Sequence, residues 1–200
     1  MSDILADLPL FPLNTVLFPG GLLPLRIFET RYVDMVGRCT RGQETFGVVL
    51  VENGSDTDRQ VATVPIGTSA RIVDFQTLED GLLGILCQGE RRFRIHARSQ
   101  LADGLNCAEV EWLEEAGRVS VPERLQPLVP LLREALGQLK TIGRFMAPDY
   151  EDACWVGYRI AELLPLDQKL LQRLLESDDP IARLDLLAPL IDLPAGDGGD

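Results

Sequence analysis

Few residues in this chain are of the types catalysis uses, and their spacing does not assemble them. His96 is the single histidine, so any histidine-based triad has one available base. It lies between Arg94 and Arg98, and it reads as a surface residue. The cysteines stand at positions 39, 87, 107 and 154, too far apart for a zinc knuckle or a redox pair. Cys87 and Cys107 fall in apolar, strand-like text, where free cysteine acts as a small buried hydrophobe. Asp149, Glu151 and Asp152 cluster, as do Asp178 and Asp179, but both clusters open expected helices. There a negative charge complements the helix dipole without any ligand. The glycine turns at Pro19-Gly20-Gly21 and Gly81-Leu82-Leu83-Gly84 lack the Gly-Lys-Ser/Thr that a phosphate-binding loop requires. Ser99 and Ser120 have no lysine near them in sequence, and Lys140 and Lys169 read as helix-surface charges. No catalytic residue, metal site or cofactor is assigned.

Arg91, Arg92, Arg94 and Arg98 form the one basic concentration. Against a net charge of −12 they make a poor footprint for nucleic acid, which needs a positive field to displace counterions. The reading preferred here is a solvated strand face paired to neighbouring acids. The deficit is evenly spread. Through Arg118 there are 17 acids and 11 bases, and beyond it 14 and 8, so each part carries −6. Neither part is a concealed basic module, and docking on anionic lipid is equally disfavoured. The start, Met1-Ser2-Asp3, is acidic where a secretory leader would be basic and then apolar. A cytoplasmic address with reduced thiols is expected.

The elements that must position such residues begin with Leu8–Tyr32, LPLFPLNTVLFPGGLLPLRIFETRY. Pro9, Pro12, Pro19 and Pro24 forbid a helix here, since each removes a backbone donor and clashes with the preceding turn. Three short extended pieces follow instead: one around Leu8–Leu13, one at Thr15–Phe18 and one at Leu22–Phe28. Pro19-Gly20-Gly21 supplies a turn, and the prolines confine these strands to edges, strand starts or bulges. Met1–Ala6 reads as a loose lead-in. Tyr32, Val33, Met35 and Val36 fall at helical spacing, which predicts a helix over Glu29–Arg38. Phe46–Val51 reads as a buried strand, and Asn53–Asp58 as a mobile loop.

From Val61 turns recur about every ten residues, the rhythm of a small all-β barrel or sandwich. Ala70, Ile72 and Phe75 belong to one strand and Leu82–Cys87 to the next. A further strand, Arg91–Ile95, follows Gly89. Period two puts Phe93 and Ile95 in its core and Arg92, Arg94 and His96 on the other face. Cys107–Leu113 is the last strand. The text then changes at Glu114-Glu115-Ala116-Gly117. Ser120-Val121-Pro122-Glu123 has the form of a capping box. Further helix starts are read at Pro148-Asp149 (through Leu164), at Asp167 (Gln168–Glu176) and at Asp179-Pro180. Strands first and helices second predict an α+β chain. The units are 1–117, a β-barrel domain; 118–193, a helical bundle; and 194–200, a disordered tail.

The opening motif Leu8–Tyr32 resembles that of the Lon-protease N-terminal, or substrate-binding, domain. Phe46–Val49, Val64–Ile72, Asp80-Gly81 with Gly89–Ile95, and Ala161–Gln172 are similar to successive later segments of that family. The resemblance runs from Leu8 to about Leu187. It implies a PUA-like β-barrel (the pseudouridine-synthase and archaeosine-transglycosylase type) followed by the helical bundle. It also implies a stand-alone form without the ATPase and the serine–lysine protease modules. The function implied is non-catalytic capture of unfolded or apolar polypeptide, including degrons. The chain would then be an adaptor in proteolysis or quality control, partnered by a separate protease or ATPase, with no nucleic acid and no membrane. The groove is expected where barrel meets bundle, with the first helix at its edge. Phe28, Arg31 and Tyr32 are the expected contacts, with Arg92 anchoring a carboxylate or backbone group; Phe28 and Tyr32 have the alternative role of gluing the first helix to the barrel. The competing readings are a peptidase-related hydrolase with an unrecognised site and an RNA-binding PUA-like barrel.

Overall fold

A computed structural model describes residues 4–42, 44–52, 62–139 and 145–191. The Asn53–Asp58 loop, Lys140 and the tail at 194–200 lie outside them. The chain divides into two compact units, Met1–Glu115 and Ala116–Asp200. The first carries β1 (Ile4–Leu13), β2 (Leu22–Ile27), α1 (Thr30–Gly42), β3 (Phe46–Leu50), β4 (Ile66–Thr77), β5 (Leu83–Gln100) and β6 (Asn106–Trp112). The second carries α2 (Leu128–Gln138), α3 (Ala153–Leu163), α4 (Gln168–Glu176) and α5 (Pro180–Leu187). The class is α+β, with a mixed sheet. Among the described residues no helix is long and apolar enough to cross a membrane.

The strand order is β2-β5-β4-β3-β1-β6, with β5 also pairing β6, so the pairings close a circuit. Only β1–β3 is parallel. The prolines of β1 are tolerated because its pairings are divided. Residues up to Pro9 align with β6 and those from Leu10 with β3, so each half is bonded on one side. The bulge between Leu5 and Leu8 holds Asp7 at a positive φ of 61°. Strand β1 thus starts at Ile4, inside the stretch expected to be a loose lead-in.

Two other expectations are corrected. The strands expected at Leu82–Cys87 and Arg91–Ile95 are not separate but lie along one strand, β5, which starts at Leu83 and runs unbroken through Gly89. That glycine does not interrupt the strand; it admits a neighbour. A Cβ there would lie 2.3 Å from the Phe18 carbonyl oxygen, and its backbone exchanges hydrogen bonds with Gly20 and Gly21 at 2.8 and 2.9 Å. Thr15–Phe18, in turn, is not a strand. Leu17 and Phe18 are buried there, and the Leu17 carbonyl accepts from Thr68 Oγ1 at 2.6 Å.

Helix α1 packs on the sheet through Tyr32, Met35, Val36 and Cys39, the i, i+3, i+4, i+7 stripe of an amphipathic helix. These join Phe11, Ile27, Phe46, Ile85 and Cys87 in the main core. The helix begins after Glu29 and runs past Arg38 to Gly42. In the second unit Asp167 caps α4 by accepting from Leu170 N at 2.8 Å. Asp179 caps α5 ahead of Pro180, accepting from Ile181 N at 2.8 Å. The capping box at Ser120 does not form: Ser120 bridges Asp152, Glu123–Leu125 is a 3-10 turn, and the α-helix starts at Leu128. Asp152, three residues past the expected start, caps α3. Asp149 and Glu151 pair with Arg118 at 2.8 and 3.0 Å.

Candidate functional site

The chain leaves the sheet at Ile27, which is buried, and the next residue is thrown outward. Phe28 is 71% exposed. Glu29 then closes the first turn of α1, accepting from Tyr32 N and Val33 N at 3.0 and 3.1 Å. Arg31 is held on three sides. Its Nη2 lies 2.6 Å from Glu29 Oε2, its Nη1 donates to the Gly104 carbonyl at 3.0 Å, and its guanidinium stacks 5.0 Å from the Tyr32 ring centroid. Tyr32 itself points inward. It is 7% exposed and stacks on Phe11, centroids 4.1 Å apart and planes 16° from parallel. Burial raises its hydroxyl pKa, against the pull of Arg31, so the ring stays neutral. Of the three contacts expected on this helix, Phe28 and Arg31 present surface and Tyr32 holds the helix down.

Arg92 belongs to a different place. It sits on β5 opposite Thr68 and is 1% exposed. Its Nε donates to both oxygens of Glu115 at 3.0 and 3.2 Å, and its Nη2 to the Glu114 carbonyl at 3.3 Å. The Arg92 amide also donates to Glu115 Oε1 at 3.2 Å, and its carbonyl accepts from Leu113 N at 3.0 Å. Strand alternation placed this side chain on the outer face; instead it is enclosed by the Leu113–Glu115 segment that it pins. An arginine whose fork is filled by its own chain has little left for a ligand carboxylate.

The neighbouring basic residues are engaged as well. Arg91 stacks over Trp112 at 4.9 Å, Arg98 donates to the Thr63 carbonyl at 2.8 Å, and His96 Nε2 lies 3.0 Å from Glu111. Among the described residues no three or more His, Cys, Asp or Glu gather as metal ligands. Burial pushes the thiols of Cys39 and Cys87 up to about 11 and about 12, which makes them poor nucleophiles at neutral pH.

Sequence reasoning missed a groove of about 300 Å³ between the C-terminal turn of α1 and β4, where Phe75 is 65% exposed. The signal was present. Ala70 and Ile72 keep period two, but the apolar positions then shift to Val73 and Phe75, and position 74 is an aspartate. That slip marks the bulge found between Ile72 and Asp74.

A mixed sheet with closed pairings, one helix laid on it, and a separate helical unit define the architectural class. The chain belongs to the family described as the ATP-dependent protease La (LON) substrate-binding domain, matched over residues 7–192. It is 27% identical to a Lon protease of Cytophaga hutchinsonii, covering 92% of this chain and 24% of that protein. It is 32% identical to a Lon protease of Paraburkholderia phytofirmans over the same shares, 92% and 24%. The chain therefore spans about a quarter of the Lon proteases it matches. A solved Lon N-terminal domain protein from Xanthomonas campestris superposes with a TM-score of 0.77 at 36% identity, covering 94% of this chain and 99% of that one.

Proposed function

We propose that this chain is a polypeptide-capture module without a catalytic step of its own, presenting unfolded or apolar segments to a separate protease or ATPase. The observation that carries the reading is membership of a substrate-binding family whose relatives are proteases; a protease's substrate is polypeptide. The closed circuit of strand pairings supports reading the first unit as a small barrel of the PUA type. Four free cysteines support a reducing, cytoplasmic setting.

The contact surface proposed within the first unit is the start of α1. Phe28 offers an exposed ring three residues before Arg31, whose cation Glu29, Gly104 and Tyr32 hold in place. Tyr32 and Arg92 support the fold around it. An exposed aromatic anchor of this kind suits an apolar side chain of a bound segment. The test titrates a fluorescein-labelled apolar peptide and a labelled RNA hairpin at low and high salt. Peptide affinity is expected on the micromolar scale, about −8 kcal/mol, and to survive salt because apolar burial drives it. Phe28→Ala should weaken it by about five- to ten-fold. Salt-sensitive binding of the hairpin, with none of the peptide, would overturn the proposal.

A further inference from the structure

Strand β4 is twelve residues long, yet it is paired on both sides over only part of that length. β3 meets it at Phe46–Val48, opposite Thr68–Ala70, and stops. From Arg71 to Thr77 the described residues pair β4 with β5 alone. This half of the strand is an open edge, as is the outer side of β2, which pairs with β5 alone.

The phase of that edge can be read from its hydrogen bonds. Leu78 N donates to the Leu82 carbonyl at 2.8 Å, so by the alternation of an antiparallel ladder Gln76 and Asp74 bond toward β5 while Phe75 and Thr77 face away. The Phe75 amide agrees. It donates to the Asp74 carboxylate at 3.0 Å, a local substitute for a strand partner. An edge amide covered by its neighbour's side chain is a reversible cover, since an incoming carbonyl can replace the carboxylate.

The groove of about 300 Å³ runs along this same edge. Buried Cys39 and half-buried Ile72 form its floor, Thr40 and Glu44 one wall, and Asp74 and exposed Phe75 the other. Arg71, which also lines it, is drawn to Glu90 and Gln88 at 2.7 and 3.3 Å, and Glu44 and Asp74 place two carboxylates in the lining.

We infer that the open edge of β4 at Arg71–Thr77 takes an extended polypeptide segment as an added strand, in line with β3 and against the end of α1. Outward-facing amides and carbonyls require a partner with the same main-chain spacing, which an extended peptide supplies and a folded surface does not. The apolar floor selects alternate apolar side chains. The two wall carboxylates select against acids and favour a basic residue. This inference rests on the polypeptide-binding reading and adds the mode of binding. It also adds a second contact, because thirteen-residue α1 puts its start and this groove about 20 Å apart.

The test uses the whole chain and a fluorescein-labelled decapeptide alternating valine with lysine and threonine. Hydrogen exchange at single-residue resolution is followed with and without it. The Phe75 and Thr77 amides are expected to slow on binding, and a version N-methylated at alternate amides should bind about ten-fold more weakly or worse. Phe75→Pro removes the outward amide and spares the ladder to β5, so it should lose more affinity than Phe75→Ala, which keeps it. Asp74→Ala uncovers the edge and should tighten binding of a peptide with its lysines replaced by threonine. If the decapeptide binds while both amides exchange unchanged and N-methylation has no effect, the edge is not the site and the polypeptide reading stands. If no peptide binds at all, both fall.

Discussion

Each unit holds a buried arginine, Arg92 and Arg183, and these two are bound in opposite ways. In the first, Arg92 is enclosed with a carboxylate: Glu115 accepts from it twice, and the pair staples the chain's exit from the sheet. In the second, Arg183 is equally buried but is held by neutral groups. Its Nε donates to the Leu174 carbonyl at 2.9 Å, its Nη2 to Tyr158 Oη at 3.2 Å, and its Nη1 to Cys154 Sγ at 3.7 Å, while its charge stacks 4.0 Å above the Tyr158 ring. One guanidinium thus ties α3, the end of α4 and α5 together. The sheet unit places its buried cation where segments distant in sequence meet, and the helical unit places its own where three short helices need a common hub. A buried charge is costly in both, and in each the hydrogen bonds the guanidinium donates offset that cost.

The sharpest way to break this comparison is to remove the hub. Arg183→Met leaves the Leu174 carbonyl and the Tyr158 hydroxyl without their donor, and should cost about 3–4 kcal/mol. Urea unfolding followed by hydrogen exchange should show protection lost in α3–α5 with the sheet amides retained. Equal loss in the sheet would mean that the units do not unfold separately. Glu115→Ala, the matching change in the first unit, strands buried Arg92 and should cost less, about 2 kcal/mol, because Glu115 is itself partly solvated.

A smaller effect is expected from the helix caps. Asp179→Ala frees the amides of Ile181 and Ala182 at the start of α5 and should cost about 1 kcal/mol. Asp179→Ser should recover most of that, which thermal unfolding of the two variants would show. The cost should appear only in the second unit.

The smallest effects concern pH, and they run in opposite parts of the scale. Burial pushes the Glu162 carboxyl up to about 7 from its ordinary 4.5, against the pull of Arg159. The folded state therefore favours its protonated form. That stability is fully present below pH 4.5 and is lost as pH rises through 7. The side chain keeps 27% exposure, which limits the effect, and Glu162→Gln should flatten it. In the first unit the buried thiols of Cys39 and Cys87, up at about 11 and about 12, contribute stability present below pH 9 and lost as pH rises through those values. Stability curves of the separate transitions between pH 4.5 and 11 would check both, and a sheet transition that weakened at neutral pH would contradict the assignment.

What could be read from the sequence was what a few adjacent residues decide among themselves. Asp167 before Gln168 and Asp179 before Pro180 start helices because a side-chain oxygen reaches an amide two or three residues on, wherever the helix later packs. The α1 stripe of Tyr32, Met35, Val36 and Cys39 was legible for the same reason, and so was the α+β class. Ser120-Val121-Pro122-Glu123 had an equally good local pattern, yet Ser120 was drawn into a bridge with Asp152, thirty-two positions away. Gly89 read as a strand break because its need is not local: it clears the carbonyl of Phe18. Arg92 obeyed period two and is buried nonetheless, because the Leu113–Glu115 segment folds over what would have been the outer face. The exposed Phe75 and the open edge beneath it exist because β3 begins only at Phe46, level with Ala70 of β4. Register between distant strands depends on which side chains fit together, and only the folded chain settles that.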